Sequence, residues 1–384
     1  MKNLPIGLQF LSEFSETNSV YVDKTQLVHQ LVTTGKYYFL SRPRRFGKSL
    51  LVSTLKELFE GNQILFQDLW IEPHWDWAQK NPVVHISFAQ WDFEELNLSA
   101  AILEALDSIA QSKGIVLTKK TVKSRFYELL QAVYQQAGQV VLLIDEYDKP
   151  IVHYLEDNQL KKAIANRKIF KNFYSVLPDA GKILKFVFIT GVSKFTKVSI
   201  FSDLNHLRDI TLDENYAAIA GYTQSELEHY FGSYLQVIED KRDISRDKLL
   251  FQIKRWYNGY SWDGETSVYN PFGTITFLHK RAFGNYWFAT GTPAFLLEQM
   301  KKQGQFKIEK LKVNSDFFEK YDLENIEINQ LLFQTGYLTV QARDPLTDEY
   351  WLDIPNQEVH NSLYQFLMTE LTRRSQRPNS GMTI

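Results

Sequence analysis

The sequence predicts an α/β fold in which a parallel sheet is followed by a more helical region. Short apolar runs of strand length alternate with longer amphipathic stretches through the first half of the chain. This alternation is typical of a layered α/β architecture. Helical periodicity dominates afterwards, which predicts a boundary near Ile219 to Thr223. The expected division is one domain over residues 1–220, a second over 221–375 and a polar tail over 376–384.

The predicted strands are short, rich in Val, Ile, Phe and Tyr, and bounded by polar or turn residues. They are Lys36–Ser41, Pro82–Phe88, Gln139–Asp145 and Lys185–Thr190. Elsewhere apolar residues recur at three- and four-residue spacing, which indicates amphipathic helices. The clearest helices are Lys48–Glu60, Ser99–Gln111, Thr121–Gln135, Asp157–Leu177 and Thr223–Glu239.

The second half of the chain predicts a helical region with a hairpin near its end. Asn270 followed by Pro271 is typical of a helix start, and that helix is expected to run towards Ala282. A helix, two strands joined through Asp344-Pro345, and a final helix follow. Their expected bounds are Glu327–Gln334, Tyr337–Ala342, Tyr350–Ile354 and Glu358–Thr372. This order predicts a winged-helix-like unit.

The composition excludes several classes of protein. The chain has no cysteine, which excludes disulfides, thiolate metal sites and cysteine nucleophiles. A net charge of −2 over 384 residues argues against a wholly basic nucleic-acid binder, although it leaves room for a local basic patch. No window approaches the ~20 apolar residues of a spanning helix, and the histidines lack the spacing of zinc ligands. We therefore expect a cytoplasmic protein without a membrane partner.

The segment after the first predicted strand has the pattern of a phosphate-binding loop, or P-loop. It follows Tyr37 to Leu40 and opens directly into the helix that begins at Lys48. In such a loop, backbone N–H groups at the helix N-terminus donate to phosphate oxygens. We expect Lys48 to contact the β- and γ-phosphates of ATP, and the Ser49 hydroxyl to bind Mg²⁺. The candidate nucleotide-binding residues are Arg42, Pro43, Arg44, Arg45, Phe46, Gly47, Lys48, Ser49 and Leu50.

The loop departs from the common P-loop pattern at its first residue, where Arg42 replaces glycine. An arginine there predicts an ordinary backbone conformation with negative φ, and Pro43 keeps the entry extended. The side chains of Arg42, Arg44 and Arg45 are expected to add positive charge facing the phosphates. A basic loop containing an accidental Gly-Lys-Ser is the alternative, so a second element is needed to decide.

That second element is a pair of acids at the end of a continuous apolar strand. The run Val140 to Ile144 reads as a buried parallel strand, and Asp145 and Glu146 follow it. The carboxyl ends of parallel strands form the ligand-binding edge of such a sheet. We expect Asp145 to hold Mg²⁺ through water and Glu146 to polarise the water that attacks the γ-phosphate. The polar end of a core strand is the simpler alternative for either acid alone.

A third polar strand end follows Phe186 to Ile189. Thr190 and Ser193 are candidates to hydrogen-bond the attacking water or the γ-phosphate. Both hydroxyls would equally suit a turn in which they satisfy backbone groups, and this alternative stays open.

These segments, taken in order, closely resemble the bacterial predicted AAA-ATPase-like family. The resemblance is carried by Leu4-Pro5-Ile6-Gly7, Tyr21-Val22-Asp23-Lys24-Thr25, Arg42 to Ser49 and Asp145-Glu146-Tyr147-Asp148-Lys149-Pro150. Further stretches are Thr190 to Phe195, Leu204 to Ile210, Trp256 to Tyr260, Tyr269 to Pro271 and Gly336 to Thr339. The resemblance covers the chain from Leu4 to about Thr372. The missing first glycine is the rule in this family.

The resemblance implies a P-loop NTPase core of the additional-strand class, in which one strand separates the strand carrying Asp145 from the P-loop strand. Members commonly continue into a C-terminal nuclease domain, and no such acid-acid-Lys cluster is found before this chain stops. The resemblance also implies that Tyr21 to Lys24 pass near the adenine, although a segment covering a sheet edge would look the same. By position, Arg208 is the candidate arginine finger.

Two functions are consistent with these features. In the first, the protein is an ATPase that uses Asp145 and Glu146 for hydrolysis and passes its nucleotide state to a partner. In the second, it is a binding module that holds ATP with little turnover and engages nucleic acid or protein through its winged-helix-like region. A monomer and a homo-oligomer both stay open.

Overall fold

The first half of the chain forms a parallel sheet of five strands in the order β2-β3-β4-β1-β5. The strands are β1 Tyr37–Ser41, β2 Val83–Ser87, β3 Val140–Asp145, β4 Leu184–Gly191 and β5 Arg208–Asp209. The protein is represented by a computed structural model, which describes residues 1–156, 159–194, 200–201, 204, 206–287, 296, 299–300, 303–304, 310–319, 323–324 and 327–375. Four of the five strands lie within two residues of their predicted bounds.

The strand order confirms the additional-strand class. Strand β4 lies between β3, which ends at Asp145, and β1, which leads into the loop. All residues of β3 are buried, as are those of β1 after Tyr37. Strands that are apolar on both faces must be covered by helices on both sides, which gives the layered α/β arrangement.

Helices fill the connections between the strands and make up much of the second half. In the first half they are α1 Leu11–Glu16, α2 Thr25–Thr34, α3 Lys48–Glu60, α4 Leu98–Ser112, α5 Val122–Ala137, α6 Lys149–Glu156 and α7 Leu160–Tyr174. In the second half they are α8 Gln224–Arg242, α9 Arg246–Tyr257, α10 Pro271–Lys280, α11 Asp316–Glu319, α12 Ile328–Thr335 and α13 Gln357–Ser375. Short 3₁₀ turns occur at Gln63–Phe66, Glu72–His74, Phe88–Gln90 and Glu214–Tyr216.

One predicted helix has different bounds in the structure. The expected helix Asp157–Leu177 begins at Leu160 and ends at Tyr174, and its predicted start lies outside the described residues. A separate helix, α6, precedes it immediately after the strand that ends at Asp145. This helix of 8 residues was not predicted. Pro150 occupies an early helical position, where a missing N–H costs no hydrogen bond.

The C-terminal region contains the predicted hairpin. Its strands are β6 Leu311–Asn314, β7 Thr339–Asp344 and β8 Glu349–Asp353, which pair antiparallel in the order β6-β8-β7. The hairpin β7-β8 is preceded by α12 and followed by α13, as the sequence indicated. The third strand, β6, was not predicted, since four residues with alternating burial carry little signal. Assignment to the winged-helix class stays a prediction.

The hydrophobic cores join the two halves of the chain. Val20 and Val22 from the N-terminal segment pack with α8, α9 and α10. Trp262 and Trp287 from the second half pack in the same core as the parallel sheet. The division into domains at residue 220 therefore stays a prediction, because each core takes residues from both sides of it.

A buried carboxylate lies where α10 meets α13. Glu358 is fully buried, and its Oε1 accepts a hydrogen bond of 2.6 Å from the backbone N–H of Trp287. Gly273 faces Glu358 so closely that a Cβ there would come within 3.0 Å of Oε2. Within the described residues, Oε2 has no hydrogen-bond partner. Burial raises the pKa of Glu358 to about 7, and hydrogen bonds from the backbone of Trp287 and Tyr286 oppose this rise.

This buried carboxylate predicts a pH-dependent stability. Because the folded state holds the Glu358 proton more tightly than the unfolded chain, stability falls as pH rises from about 4.5 to about 7 and then levels off. The loss amounts to about 3 kcal/mol at 1.4 kcal/mol per pKa unit. Glu358→Gln is expected to remove this fall and to be more stable than wild type at pH 8. Urea unfolding at pH 5 and pH 8 measures the difference.

The exposed Glu104 of α4 provides the control, since Glu104→Gln should leave the wild-type pH dependence in place. An equal fall in stability from pH 5 to pH 8 in wild type and Glu358→Gln would contradict the assignment.

Candidate functional site

The N-terminus of α3 faces a cavity at the carboxyl edge of the sheet. Its first residue follows Gly47, which caps the helix in the left-handed region at φ 87°. A Cβ added at Gly47 would meet no heavy atom within 4 Å. The first turn contains no acidic residue, and the N–H of Leu51 bonds the carbonyl of Gly47. The N–H groups before Leu51 and the positive end of the helix dipole are therefore suited to an anion.

The loop ahead of α3 contains a second left-handed residue. Arg45 has φ 67°, although it is not a glycine, and such a conformation costs roughly 1–2 kcal/mol. Its guanidinium lies 4.2 Å from the ring centre of Phe272 in α10. Left-handed residues in a short loop turn successive N–H groups towards one side, which forms a concave anion site. The sequence prediction that Arg42 has negative φ is confirmed, since the left-handed residues are Arg45 and Gly47.

Lys48 is buried behind the loop. Its Nζ donates to the carbonyl oxygens of Arg42 and Pro43, both at 2.9 Å. Burial lowers the pKa of Lys48, and the nearby carboxylates of Asp145, Asp148 and Glu146 oppose this shift. The ammonium group is therefore held close to the carboxylates at the end of β3 by bonds that it could exchange for others.

The two acids at the end of β3 take different positions, since Asp145 is the last residue of the strand and is not among the residues that line the cavity described below, whereas Glu146 is. Asp145 is buried, and its Oδ1 accepts the N–H of Glu146 at 2.8 Å. Glu146 has φ 49°, which turns the chain sharply after the strand. Its side chain lines the same cavity as the loop, and its Oε2 lies 3.7 Å from Nζ of Lys149. Burial raises the pKa of Glu146, with Lys149 opposing the rise.

Asp148 is a site residue to which the sequence assigned no role. Its carboxylate accepts hydrogen bonds from the N–H groups of Val192 and Ser193 and, at 2.7 Å, from the hydroxyl of Ser193. Asp148 and Val192 line the cavity. Asp148 thus joins the end of β3 to the end of β4. The only signal in the sequence was its place in the stretch Asp145 to Pro150.

The two hydroxyl candidates at the end of β4 and just after it donate to internal partners. Thr190 is fully buried, and its Oγ1 donates to the carbonyl of Leu40 at 2.8 Å. Ser193 is bound to Asp148 as described. Neither is among the residues that line the cavity, whereas Val192 between them is. Their hydrogen bonds therefore fit the alternative in which both hydroxyls satisfy groups of the protein itself better than direct contact with a ligand.

Arg42 does not face the cavity, so the expectation that it directs charge at the phosphates is wrong. It is completely buried, and its Nη1 donates to the carbonyls of Ser41 and Thr211 at 2.9 and 2.8 Å. Its guanidinium lies 3.8 Å from the ring centre of Trp262. Burial lowers the pKa of Arg42 to about 9. The adjacent Pro43 is also buried and outside the cavity, whereas Arg44 and Arg45 are exposed and line it.

Arg208 also lies away from the cavity. It is on the edge strand β5, opposite Tyr38, and its Nη2 forms an ion pair of 2.7 Å with Asp213. It is not among the residues that line the cavity. In this chain its side chain does not contact the loop site, and its role as an arginine finger stays a prediction.

The cavity has a volume of about 630 Å³ and is lined by several separate parts of the chain. The loop and α3 supply Arg44–Leu51 and Thr54, and the end of β3 with α6 supplies Glu146, Asp148, Lys149, Val152 and His153. The N-terminal segment supplies Pro5, Gly7, Leu8, Gln9, Phe14, Tyr21, Val22 and Lys24. Val28 of α2 and Val192 after β4 also line it, and the remaining wall consists of Ile219–Tyr222, Pro271, Phe272 and Ile275. Sequence reasoning missed this last wall, because it comes from segments far from the loop.

The N-terminal segment is fixed against both halves of the chain. The hydroxyl of Tyr21 hydrogen-bonds that of Thr54 in α3 at 3.2 Å. Nζ of Lys24 forms an ion pair of 2.6 Å with Glu226 in α8. Tyr21, Val22 and Lys24, from the segment expected to pass near the adenine, therefore form part of the cavity wall.

A parallel sheet of additional-strand order and a Gly-Lys-Ser loop opening α3 define a protein of the P-loop NTPase class. Residues 5–201 match the family model described as "Predicted AAA-ATPase". The chain is 40% identical over 374 residues to "Uncharacterized protein in vnfD 5'region" of Azotobacter chroococcum mcd 1. The match covers 96% of this chain and 70% of that relative. The chain belongs to the predicted AAA-ATPase family, which confirms the resemblance seen in the sequence.

Solved structures show more distant similarity. The Aeropyrum pernix ORC2 protein in ADPNP-ADP complexes matches with a TM-score of 0.34 and 8% identity, covering 91% of each chain. The A. pernix ORC1 protein in complex with DNA matches with a TM-score of 0.31 and 9% identity, covering 91% of this chain and 94% of that one. Separately, none of the described helices combines the length and apolar character needed to cross a membrane.

The positions of the loop arginines predict losses of stability of different size. Arg42→Met is expected to lower the free energy of unfolding by on the order of 3 kcal/mol, because the buried carbonyls of Ser41 and Thr211 lose their donor. Arg44→Met removes an exposed charge from the same loop and should cost less than about 1 kcal/mol. Urea unfolding of both variants measures this. Equal stability of the two variants would contradict the structural role of Arg42.

Proposed function

We propose that this chain binds ATP with Mg²⁺ in the cavity and hydrolyses it. One observation carries the proposal. The opening of α3 at Gly47, Lys48 and Ser49 lines the same cavity of about 630 Å³ as Glu146 at the end of β3. A donor-rich helix N-terminus and a candidate base thus face one space of a size suited to a small ligand.

The residues present fit a nucleoside triphosphate. The helix N-terminus, Lys48 and the exposed Arg44 and Arg45 supply the N–H groups and positive charge that phosphate requires. Mg²⁺ prefers oxygen ligands; Ser49, which lines the cavity, would hold it directly, and the buried Asp145, which is not among the lining residues, would hold it through water. When bound, the ion neutralises charge that develops on the β- and γ-phosphates. Phe272 belongs to an apolar wall that suits a flat base.

Each residue then has a separate task. Lys48 exchanges the carbonyls of Arg42 and Pro43 for phosphate oxygens, which keeps its ammonium group hydrogen-bonded at every stage. Glu146 accepts a proton from the attacking water, and the rise in its pKa makes it a better base at neutral pH than an ordinary carboxylate. Asp148 holds the end of β4 beside the cavity.

A second function, nucleotide-gated binding with little turnover, is favoured by one contact. Nζ of Lys149 lies 3.7 Å from Oε2 of Glu146. A carboxylate paired with a cation is a weaker base, so this pair would slow hydrolysis while ATP stays bound. In that case the region of β7 and β8 would engage nucleic acid or protein according to the nucleotide state.

Two substitutions test these proposals. Lys48→Ala is expected to weaken ATP binding at least about 100-fold in calorimetry, because a charge-assisted contact with the phosphates is lost. Glu146→Gln should bind ATP within a few-fold of wild type while phosphate release falls about 100-fold or more, the usual contribution of a general base. Lys56→Ala, on the exposed face of the same helix, is the matched control and should bind as wild type.

The results of these measurements distinguish ATP hydrolysis from nucleotide-gated binding. Wild-type binding by Lys48→Ala would overturn the site itself. Tight ATP binding by the wild type without phosphate release, and a change in affinity when DNA is added, would support the second function over the first.

A further inference from the structure

The face of the P-loop that points away from the cavity is held by residues from the C-terminal region. The indole Nε1 of Trp287 donates to the carbonyl of Arg44 at 3.0 Å. Gly336 packs so closely behind the loop that a Cβ there would come within 2.9 Å of Pro43. The ring centre of Phe46 lies 4.8 Å from that of Tyr260. The loop is therefore supported by side chains more than 200 residues away in sequence.

The contact with Trp287 fixes the orientation of one peptide group. The Arg44–Arg45 peptide is trans, so its C=O and N–H point in opposite directions. Anchoring the Arg44 carbonyl on Trp287 therefore directs the Arg45 N–H away from Trp287. Arg45 lines the cavity and Trp287 does not. The bond thus favours an N–H on the side of the loop where phosphate would lie.

The same contact bears on the strained backbone at Arg45. A non-glycine residue in the left-handed region persists only where the surrounding structure holds it. Two contacts act on this turn: the Trp287 indole bonds the preceding carbonyl, and the Arg45 guanidinium lies over Phe272. The indole contact acts on the backbone itself, so its removal should release the turn.

Trp287 is in turn held by Glu358. Its backbone N–H donates to Oε1 of Glu358 at 2.6 Å, and both residues are fully buried. Hydrogen bonds to an ionised carboxylate are about twice as strong as neutral ones. An ionised carboxylate that is buried lowers the stability of the fold. Glu358 is therefore expected to serve a purpose other than stability.

We propose that Trp287, held by Glu358, is a positioning residue for phosphate binding: its indole N–H fixes the Arg44 carbonyl and with it the left-handed turn at Arg45. The C-terminal region thereby sets the affinity of the loop for a nucleoside triphosphate. This inference rests on the proposed ATP site.

Trp287→Phe tests the inference, because it keeps a buried ring and removes the indole N–H. Hydrogen–deuterium exchange of the nucleotide-free protein should show faster exchange of the amides of residues 44–49. ATP affinity measured by calorimetry should fall about 5- to 10-fold, the factor expected for one buried hydrogen bond. Trp75→Phe is the matched control, since in the described part of the chain the Trp75 indole N–H has no acceptor. It should leave the loop exchange and the affinity unchanged.

A second comparison separates positioning from general support of the fold. Arg45→Gly removes the backbone strain, so Trp287→Phe should lower ATP affinity less in the Arg45→Gly background than in wild type. A residue that only supports the fold would show the same loss in both backgrounds.

Glu358→Gln is expected to change stability and ATP affinity in opposite directions. At pH 8 this variant should be more stable than wild type yet bind ATP more weakly, because a neutral amide is a weaker acceptor for Trp287. The affinity gap should close towards pH 6, where Glu358 is protonated. The titratable groups that face Glu358 are Tyr257, Tyr260 and Tyr286, which stay neutral over this range.

The outcomes distinguish this inference from the proposed site. Absence of ATP binding in the wild type would overturn the proposed site and, with it, the effect of Trp287 on affinity, and unchanged amide exchange of residues 44–49 in Trp287→Phe would overturn the positioning of the loop. ATP binding that is lost in Lys48→Ala but unchanged in both Trp287→Phe and Glu358→Gln would overturn the positioning role while keeping the site.

Discussion

The parallel register of β3, β4 and β1 is the constraint on which the rest of the structure depends. Ile144 lies opposite Ile189, and Ser41 lies opposite Gly191, so the three strands end at one edge. The side chains of β3 are apolar from Val140 to Ile144 and buried between helices, so its first polar residue is Asp145, at the strand end. The loop after β1 and the acids after β3 therefore meet because of hydrophobic burial, before any ligand is considered.

At that edge the protein keeps charged groups buried by bonding them to its own backbone. Lys48 donates to two loop carbonyls, Arg42 donates to carbonyls beneath the loop, and Asp145 accepts the next N–H. Each arrangement avoids the large cost of an unpaired buried charge. The two cations differ in whether they can exchange hydrogen-bond partners. Lys48 lines the cavity and can exchange its partners there, whereas Arg42 is enclosed with Trp262 and cannot.

The sequence predicted the elements that local pattern determines. Helix Lys48–Glu60 has its predicted bounds, and the strand order followed from the family resemblance. The side to which a charged residue points was not predictable, since the partners that bury Arg42 come from Thr211 and Trp262, far along the chain. Thr190 and Ser193 were ambiguous for the same reason. A hydroxyl at a strand end suits a ligand and a neighbouring carbonyl equally well, and only the register decides between them.

The distribution of the cores links the cavity to the second half of the chain. Val20 and Val22 pack with the C-terminal helices, while Trp262 and Trp287 pack with the sheet. The cavity walls consequently come from both halves, including Phe272 and Ile219. A ligand that contacts both walls binds more tightly when the walls are packed as in this structure than when they are separated. Binding of such a ligand would therefore stabilise the packing of the two walls. By the same linkage, if the proposed ligand contacts both walls, a change in how the second half packs would change its affinity, even where that change lies away from the ligand.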